Sequence, residues 1–390
     1  MSWEYKTLDQ LGEVSRGRSK HRPRNDPSLF GGKYPFIQTA DVKAANFYIT
    51  EYDTTYNEKG LAQSRLWNPG TLCITIAANI ADTGILAMDA CFPDSVMGFL
   101  PYEGIADVRF VKYCFDILQQ NCKKISQGAA QDNLSWEKLS TILFPAPPIE
   151  VQTKIADILS TYDNLIENNK KQIKLLEEAA QRLYKEWFVA LRFPGHETTP
   201  IVDGVPEGWK EQSLYQIADV VMGQSPKSEY YNQVGEGLPF HQGVGSYGNR
   251  FVSDETYSTS FTRIAEAGSI LFSVRAPVGR LNLTKNKVVI GRGLAAINHR
   301  RGAQNYLFYL LKEKFFRDDI IGNGSIFASI SKEELLNQTF LIPIDSLVEQ
   351  FNGIAGGIDK KIDILSEQIR LLTEARNRLL PKLMSGELEV

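Results

Sequence analysis

A segment of 27 residues, Asp163 to Val189, constrains the fold of this chain more than any other. Its apolar residues form two rows with a seven-residue period, three positions apart, while Lys, Glu, Gln and Arg occupy most other positions. This is the a/d pattern of a coiled-coil helix. The segment contains no Gly or Pro that would weaken a helix. At about 1.5 Å per residue, it predicts a helix roughly 40 Å long.

A second segment with the same pattern runs from Asp359 to Met384. Its residues follow their counterparts at a constant separation of 196 positions, as Ile369 follows Ile173. Two matched helices with apolar seams predict that the helices pack against each other as an antiparallel coiled coil. The residues expected to pair them are Ile166, Asn169, Ile173, Leu176, Leu183, Ile362, Leu365, Ile369, Leu372 and Leu379.

Two polar residues interrupt the apolar pattern of the seam. Asn169 stands where the second helix has Leu365, and Arg376 stands where the first has Ala180. A polar side chain in a seam can set the register of pairing at some cost in stability. We interpret Asn169 as such a register device rather than as a ligand site.

The duplication extends beyond the helices, because Trp3 and Trp209 each begin a similar series of strands, turns and one amphipathic helix. The fold class is therefore predicted as α+β, with two duplicated α/β domains that are each followed by a long helix and related by an approximate two-fold axis. The predicted divisions are a first globular domain at 1–147, a helix region at 148–192, a linker at 193–208, a second globular domain at 209–343 and a helix region at 344–390. A short helix and then a break should precede each long helix, since Gly353, Gly356 and Gly357 weaken this part of the second half.

Several classes of protein are disfavoured by the sequence. It lacks the phosphate-binding, dinucleotide-binding, serine hydrolase and zinc protease motifs, and its only Pro-Pro pair is not in the setting of an adenine methyltransferase motif. No segment has the apolar run needed to cross a bilayer, and the N-terminus does not resemble a signal peptide. Four scattered cysteines indicate reduced thiols in a cytoplasmic protein rather than a metal site. We therefore expect no catalytic residues, no metal and no cofactor bound by this chain.

Basic and amide side chains cluster in loops that begin or end with glycine, which suits DNA binding. The net charge of −3 argues against indiscriminate nucleic-acid binding but allows a local basic groove. Arg and Lys can neutralise phosphates, Arg can bind guanine, and Asn or Gln can bind adenine. Solvated surface loops would show the same composition. The candidate DNA-binding residues are Arg16, Arg18, Lys20, Arg22, Arg24, Gln38, Gln131 and Asn133 in the first half, and Gln224, Ser225, Lys227, Gln242, Arg275, Arg292 and Ser325 in the second.

The duplicated plan of domain and helix, the junction from Phe193 to Trp209, and the motifs Gly223-Gln224-Ser225-Pro226 and Gly291-Arg292-Gly293-Leu294 resemble the specificity subunits of type I restriction–modification systems. The resemblance covers nearly the whole chain. It implies that each globular domain recognises one half of a bipartite, asymmetric DNA target, and that the helices set the gap between the half-sites. It also implies two modification subunits, which supply S-adenosylmethionine and methylate adenine. A restriction subunit using ATP and Mg²⁺ can join them.

Three alternatives remain open from the sequence. The chain could serve a related system with another type of methyltransferase, and copurifying partners would distinguish that case. It could be a coiled-coil scaffold with two protein- or carbohydrate-binding heads, which would lack the steep salt dependence of DNA binding. It could itself be an enzyme, which the missing motifs make the weakest alternative.

Overall fold

The computed structural model of the protein describes residues 3–76, 82–125, 136–315 and 329–390, with the side chains of 120–125 and 136 left out. The chain divides into two units. The first comprises Met1–Lys171 and Ser366–Val390, and the second comprises Gln172–Leu365. Each unit therefore combines one globular domain with part of both long helices.

The elements up to the end of the first long helix are short strands and helices of several lengths. In chain order they are β1 Glu4–Lys6, α1 Leu8–Leu11, β2 Gly12–Arg16, β3 Phe30–Pro35, α2 Thr39–Ala44, β4 Tyr48–Ile49, β5 Thr55–Tyr56, α3 Glu58–Ala62, β6 Leu72–Thr75, β7 Thr83–Leu86, β8 Val96–Pro101, α4 Val108–Ile125, α5 Trp136–Leu139, β9 Phe144–Ala146 and α6 Ile149–Tyr184. A π-helical turn, Lys185–Val189, continues α6.

Apart from two short strands in the linker, the remaining elements begin and end in the same way, with a strand, a short helix and a strand at the start and two helices, a strand and a long helix at the end, but have only strands and 3-10 turns in between. They are β10 Ile201–Val202, β11 Val205–Pro206, β12 Lys210–Ser213, α7 Leu214–Ile217, β13 Ala218–Met222, β14 Tyr231–Asn232, β15 Leu238–His241, β16 Tyr257–Ser258, β17 Ile264–Ala265, β18 Ile270–Ser273, β19 Leu281–Leu283, β20 Val288–Ile290, β21 Leu294–His299, α8 Gln304–Phe315, α9 Lys332–Leu336, β22 Thr339–Ile342 and α10 Asp345–Met384. The predicted linker contains the two-stranded sheet of β10 and β11.

The first unit is built on a five-stranded sheet in the order β2-β8-β6-β7-β4, with two-stranded sheets β1-β9 and β3-β5 beside it. Strand β6 is buried along its whole length. Leu72 and Ile74 belong to the hydrophobic cluster that contains α4, while Cys73 belongs to a second cluster around Trp67. The alternation of side chains along a strand explains why this apolar run is covered on both faces.

The second unit uses a closely related plan. Strands β13-β21-β18-β19 form one sheet, β14-β16-β15-β20-β17 form another, and β12 pairs with β22. In β18, Ile270 and Phe272 face the cluster that contains α8, and Leu271 faces a separate cluster. Strand β18 is therefore covered on both faces, as β6 is in the first unit, which agrees with the duplication inferred from the sequence.

In each unit, α6 packs antiparallel against α10. In the first unit, Asn169 of α6 donates a hydrogen bond from Nδ2 to Oε1 of Gln368 of α10, over 3.2 Å. Residues of both long helices complete the core of each unit, and the two sets occupy equivalent positions. Positions that α6 contributes in the first unit are contributed by α10 in the second, and the reverse. They are Ile155, Leu159, Leu380 and Leu383 in the first unit, and Phe351, Ala355, Tyr184 and Trp187 in the second.

The predicted seam is removed from solvent. The buried members are Ile166, Asn169, Ile173, Ile362 and Leu365, and the half-buried members are Leu176, Leu183, Ile369, Leu372 and Leu379. No member of the predicted seam is exposed. This confirms the predicted helix pairing within each unit.

The predicted break before each long helix is wrong, because α6 and α10 are continuous from Ile149 and from Asp345. Each glycine in a helix interior costs about 1 kcal/mol relative to Ala. Tertiary packing overrides this cost in α10, since Phe351 and Ala355 are fully buried. Gly356 also permits a close approach, because a Cβ there would lie 2.9 Å from Nδ2 of Asn305.

Three cysteines, Cys73, Cys91 and Cys114, are buried free thiols, and burial raises the pKa of each. The side chain of Cys122 lies outside the described part. No described helix is long and apolar enough to cross a membrane. Within the described residues there is also no cluster of three His, Cys, Asp or Glu side chains that could hold a metal ion.

Candidate nucleic-acid interface

The loop that follows β2 is anchored by two backbone hydrogen bonds. The N–H of Gly17 donates to the carbonyl of Val96 over 2.9 Å, and the N–H of Arg18 donates to that of Phe92 over 3.0 Å. A Cβ on Gly17 would lie 2.4 Å from the carbonyl oxygens of Phe92 and Pro93. Glycine is therefore required where the loop leaves the sheet.

Side chains fix the rest of this loop. His21 and Asp26 are joined over 2.8 Å, and the backbone N–H of His21 donates to Oε1 of Gln63 over 3.0 Å. Hydrogen bonds from the backbone and side chain of Ser28, followed by His21, lower the pKa of Asp26 to about 2. The carboxylate is thus ionised at neutral pH and connects His21 with Ser28 within the loop.

The predicted basic residues of the loop fall into two groups. Arg22 donates to the carbonyls of Ser19 and His21, and Arg24 donates to both carboxylate oxygens of Asp94 over 2.6 and 2.7 Å. These two guanidinium groups are therefore engaged within the domain. The exposed side chains with no ion pair among the described residues are Arg16, Arg18 and Lys20.

The other candidates of the first half are less informative. Gln38 is exposed at the start of α2, where its backbone N–H donates to Asp41 and its Nε2 lies 3.4 Å from Oγ1 of Thr54. Gln131 and Asn133 lie outside the described residues, as does Ser325 of the second half.

The second domain repeats the loop anchor with different side chains. The N–H of Gly223 donates to the carbonyl of Leu294 over 2.9 Å, and the N–H of Gln224 donates to that of Ile290 over 2.9 Å. In this domain, Ser225, which follows Gln224, connects the loop to Arg292 and Gln242. The N–H of Arg292 donates to Oγ of Ser225 over 3.2 Å, and the hydroxyl of Ser225 donates to Oε1 of Gln242 over 2.8 Å.

Three glycines make this approach possible. A Cβ on Gly223 would lie 2.1 Å from the carbonyl oxygen of Gly291, and a Cβ on Gly291 would lie 2.6 Å from Oε1 of Gln242. A Cβ on Gly293 would lie 2.6 Å from the carbonyl oxygen of Gln242. The Gly-Arg-Gly motif is therefore explained by backbone packing on both sides of Arg292.

The predicted residues of the second domain thus converge in part. Ser225, Gln242 and Arg292 form one hydrogen-bonded group, and the carbonyl of Gln224 beside them accepts a hydrogen bond from Thr262. The two remaining described candidates stand apart from the group. Arg275 follows Val274, whose N–H donates to Gly293, and Lys227 is exposed beside Glu229 at 3.8 Å.

Sequence reasoning missed Thr262 and its exposed neighbour Arg263. No local motif marks them, because the chain separation between Thr262 and Gln224 is 38 residues. Only the pairing of β17 with β20 could have placed this loop beside the group, since the N–H of Ile290 donates to the carbonyl of Arg263.

The two loop anchors allow residue-by-residue comparison of the domains. Arg18 in the first domain corresponds to Gln224 in the second, since each follows the anchoring glycine. Asp94 corresponds to Arg292, because each stands midway between the two carbonyls that accept the anchor bonds. The same backbone frame therefore presents an acid in one domain and a base in the other.

Sequence reasoning also missed two equivalent buried carboxylates, Asp163 on α6 and Asp359 on α10. Asp163 accepts hydrogen bonds from the hydroxyl of Tyr113 over 2.6 Å and from Arg376. Both aspartates begin the matched helical segments, and that shared position was the available signal.

Asp359 meets a different arginine. It accepts from Nη2 of Arg250 over 2.5 Å, and the guanidinium of Arg250 lies 3.7 Å from the centre of the Phe308 ring. Burial raises the pKa of Asp359, and Arg250 opposes that rise. Each carboxylate thus has one arginine, taken from α10 in the first unit and from the globular domain in the second.

Comparison with known proteins identifies the family. The family model for the type I restriction modification DNA specificity domain matches residues 1–178 and 206–377. A proposed type I restriction enzyme specificity subunit, MjaX, of Methanocaldococcus jannaschii is 34% identical over 67% of this chain and 62% of its own length. The MjaIX specificity subunit of the same organism is 26% identical over 100% of this chain and 94% of its own.

A solved structure agrees in fold. The S subunit of a type I restriction–modification system from M. genitalium has a TM-score of 0.60 at 15% identity, covering 98% of this chain and 96% of that one. The family model accounts for both globular domains and much of both long helices. The chain therefore belongs to the family of type I restriction–modification specificity subunits, with two DNA specificity domains.

Proposed function

We propose that the loops after β2 and β13, which we call the loop frames, are the DNA-binding surfaces of the two specificity domains. Each would contact one half of a bipartite target. The observation that carries this proposal is the shared backbone frame with different exposed side chains. A common frame gives both domains the same way of approaching the duplex. The exchange of Asp94 for Arg292 at equivalent positions gives them different partners, as an asymmetric target requires.

In the first domain we assign phosphate contacts to Arg16, Arg18 and Lys20. Arg16 is exposed at the end of β2, and Arg18 and Lys20 are exposed on the following loop, within which His21 and Asp26 are joined. Fixed cations bind phosphates without the cost of ordering a flexible segment. Because each neutralised phosphate releases counterions, binding should weaken steeply with salt.

The test is duplex binding by the purified complex of this chain with its modification subunits, measured between low and moderate salt. Replacing Arg16, Arg18 and Lys20 with Gln should reduce the slope of log K against log salt by about 3. The matched control is Lys33→Gln, which removes an exposed cation already paired with Glu58. An unchanged slope in the triple variant would refute the loop assignment. Binding without salt dependence in the parent complex would favour the scaffold alternative.

Two modification subunits are the partners that we propose for the long helices. Each unit carries an equivalent pair of exposed apolar residues on α6 and α10. They are Ile158 and Leu371 in the first unit, and Ile354 and Leu175 in the second. Exposed apolar residues repeated at equivalent positions support two copies of the same partner, because each copy would find the same surface.

Replacing Ile158 and Ile354 with Glu should reduce the stoichiometry of modification subunit per chain, measured by native mass spectrometry. The control is Leu143→Glu, at an exposed apolar position outside the helices. Full assembly of the double variant would contradict this docking surface.

We further assign S-adenosylmethionine to the modification subunits, and ATP and Mg²⁺ to a restriction subunit, with this chain contributing recognition. Because the proposed target is genomic DNA, we propose the cytoplasm as the location of the complex. The absence of an adenine methyltransferase motif from the sequence supports this division of labour.

A further inference from the structure

The hydrogen bonds that join Ser225, Gln242 and Arg292 all run in one direction, from Arg292 through Ser225 to Gln242. The N–H of Arg292 donates to Ser225, so the hydroxyl hydrogen of Ser225 is directed to Oε1 of Gln242. Oε1 also lies against the backbone of Gly291, where even a Cβ would come within 2.6 Å. The acceptor end of the Gln242 amide is therefore turned into the protein, and its Nε2 is left for a ligand.

The outward edge of this group consists of donors. Nε2 of Gln242 carries two N–H groups, and the exposed guanidinium of Arg292 carries five. Among the described residues, no ion pair engages the Arg292 side chain. A free glutamine can bind adenine with one donor and one acceptor, whereas Oε1 of Gln242 already accepts from Ser225 and lies against Gly291, so Nε2 is the end left for a ligand.

We propose that Gln242 and Arg292 are specificity-determining residues that bind guanine in the half-site of the second domain. Guanine presents two adjacent acceptors, N7 and O6, in the major groove, whereas adenine and cytosine each present an amino donor. A surface of donors matches guanine and leaves the amino group of adenine or cytosine without a partner. This inference rests on the proposed function, because it requires the second domain to bind DNA through this loop frame.

The first domain lacks the same chemistry at the equivalent place. Asp94 replaces Arg292 there and is occupied by Arg24. Gln38 there donates from Nε2 to Oγ1 of Thr54, which donates to the carbonyl of Phe36, so its donor end is engaged within the domain. The donor arrangement of Gln242 and Arg292 is therefore not repeated at the equivalent place in the first domain.

The experiment is a genome-wide map of methylated adenines in a methylation-free host that expresses the full chain with its modification subunits. The parent complex should methylate a bipartite motif with guanine in one half-site. Arg292→Ala and Gln242→Glu should each lower discrimination for that guanine about tenfold or more, with the other half-site unchanged. Lys287→Ala, which removes an exposed cation paired with Glu266 in the same unit, should leave the motif intact.

A third variant keeps the inference testable if Arg292→Ala does not assemble. Ser225→Ala frees Oε1 of Gln242, so the amide can turn and bind adenine with both ends. The guanine position should then accept adenine as well. An unchanged motif in all three variants would overturn the inference, as would relaxation at a position other than guanine. If the parent complex methylates no bipartite motif, the proposed function fails first and the inference falls with it.

Discussion

Arg376→Ala tests the buried ion pair of the first unit. The change leaves the Asp163 carboxylate, whose side chain is 1% exposed, without its cation. Removing one partner of a buried pair costs about 3–5 kcal/mol because the other charge stays buried. Two features favour the lower end: the Arg376 side chain is 19% exposed, and the hydroxyl of Tyr113 still donates to Asp163. We therefore expect a loss of about 3 kcal/mol in the first unit.

Hydrogen exchange read by mass spectrometry is the suitable assay, because it reports each unit separately. A loss of about 3 kcal/mol corresponds to roughly a hundredfold faster exchange in peptides of α4 and of the first half of α6. Arg378→Ala is the matched control on the same helix. Its guanidinium is 78% exposed and pairs with Glu374 one turn away, so its loss should cost under about 1 kcal/mol.

A double variant separates charge from packing. Asp163→Asn combined with Arg376→Met removes both charges and retains similar volumes, so most of the lost stability should return. Equal exchange in Arg376→Ala and Arg378→Ala would refute the view that Asp163 needs a buried cation. Failure of the double variant to recover would assign the loss to packing instead.

Two further predictions concern the helices and the second domain. Inserting one heptad after Lys171 and one after Leu365 preserves the seam and adds about 10 Å to each helix, so the gap in the methylated motif should lengthen by about three base pairs; an unchanged gap would oppose a spacing role for the helices. Burial lowers the pKa of His241 below its usual 6.5, so the unfolded chain takes up the proton first and stability should fall as the pH drops below 6.5. Denaturant unfolding at pH 7 and pH 5.5 should show this fall in the parent protein and a smaller fall in His241→Asn, where His299, whose pKa is also lowered by burial, still contributes.

Helix pairing was predictable because it depends on periodicity. The seven-residue spacing and the constant separation of the two copies predict Ile173 and Ile369 as seam residues, and in the structure Ile173 is buried and Ile369 is half-buried. The continuity of α10 was not predictable in this way. Local propensity places weak points at its glycines, whereas the burial of Phe351, which overrides them, depends on residues distant in sequence.

The candidate DNA-binding loops show the same contrast between what local sequence predicts and what depends on distant residues. Clustering of charges identified the basic loop of the first domain, but Arg24 is engaged by Asp94, 70 residues away in the chain. Sequence spacing cannot reveal such a partner. The glycine motif around Arg292 was visible as a turn, yet its reason, the packing of Gly291 and Gly293 against Gln242, depends on the pairing of β15 with β20.

The two buried aspartates suggest why α6 pairs with α10 rather than with α6 of another copy. In a pair of two α6 helices with the same register, the position of Arg376 would be taken by Ala180. Asp163 would then be buried without a cation, because Phe47 occupies in the first unit the backbone position that Arg250 holds in the second. An unpaired buried carboxylate costs several kcal/mol. Arg376 of α10 therefore disfavours association of α6 with itself, while the apolar seam, nearly the same in both helices, would permit it.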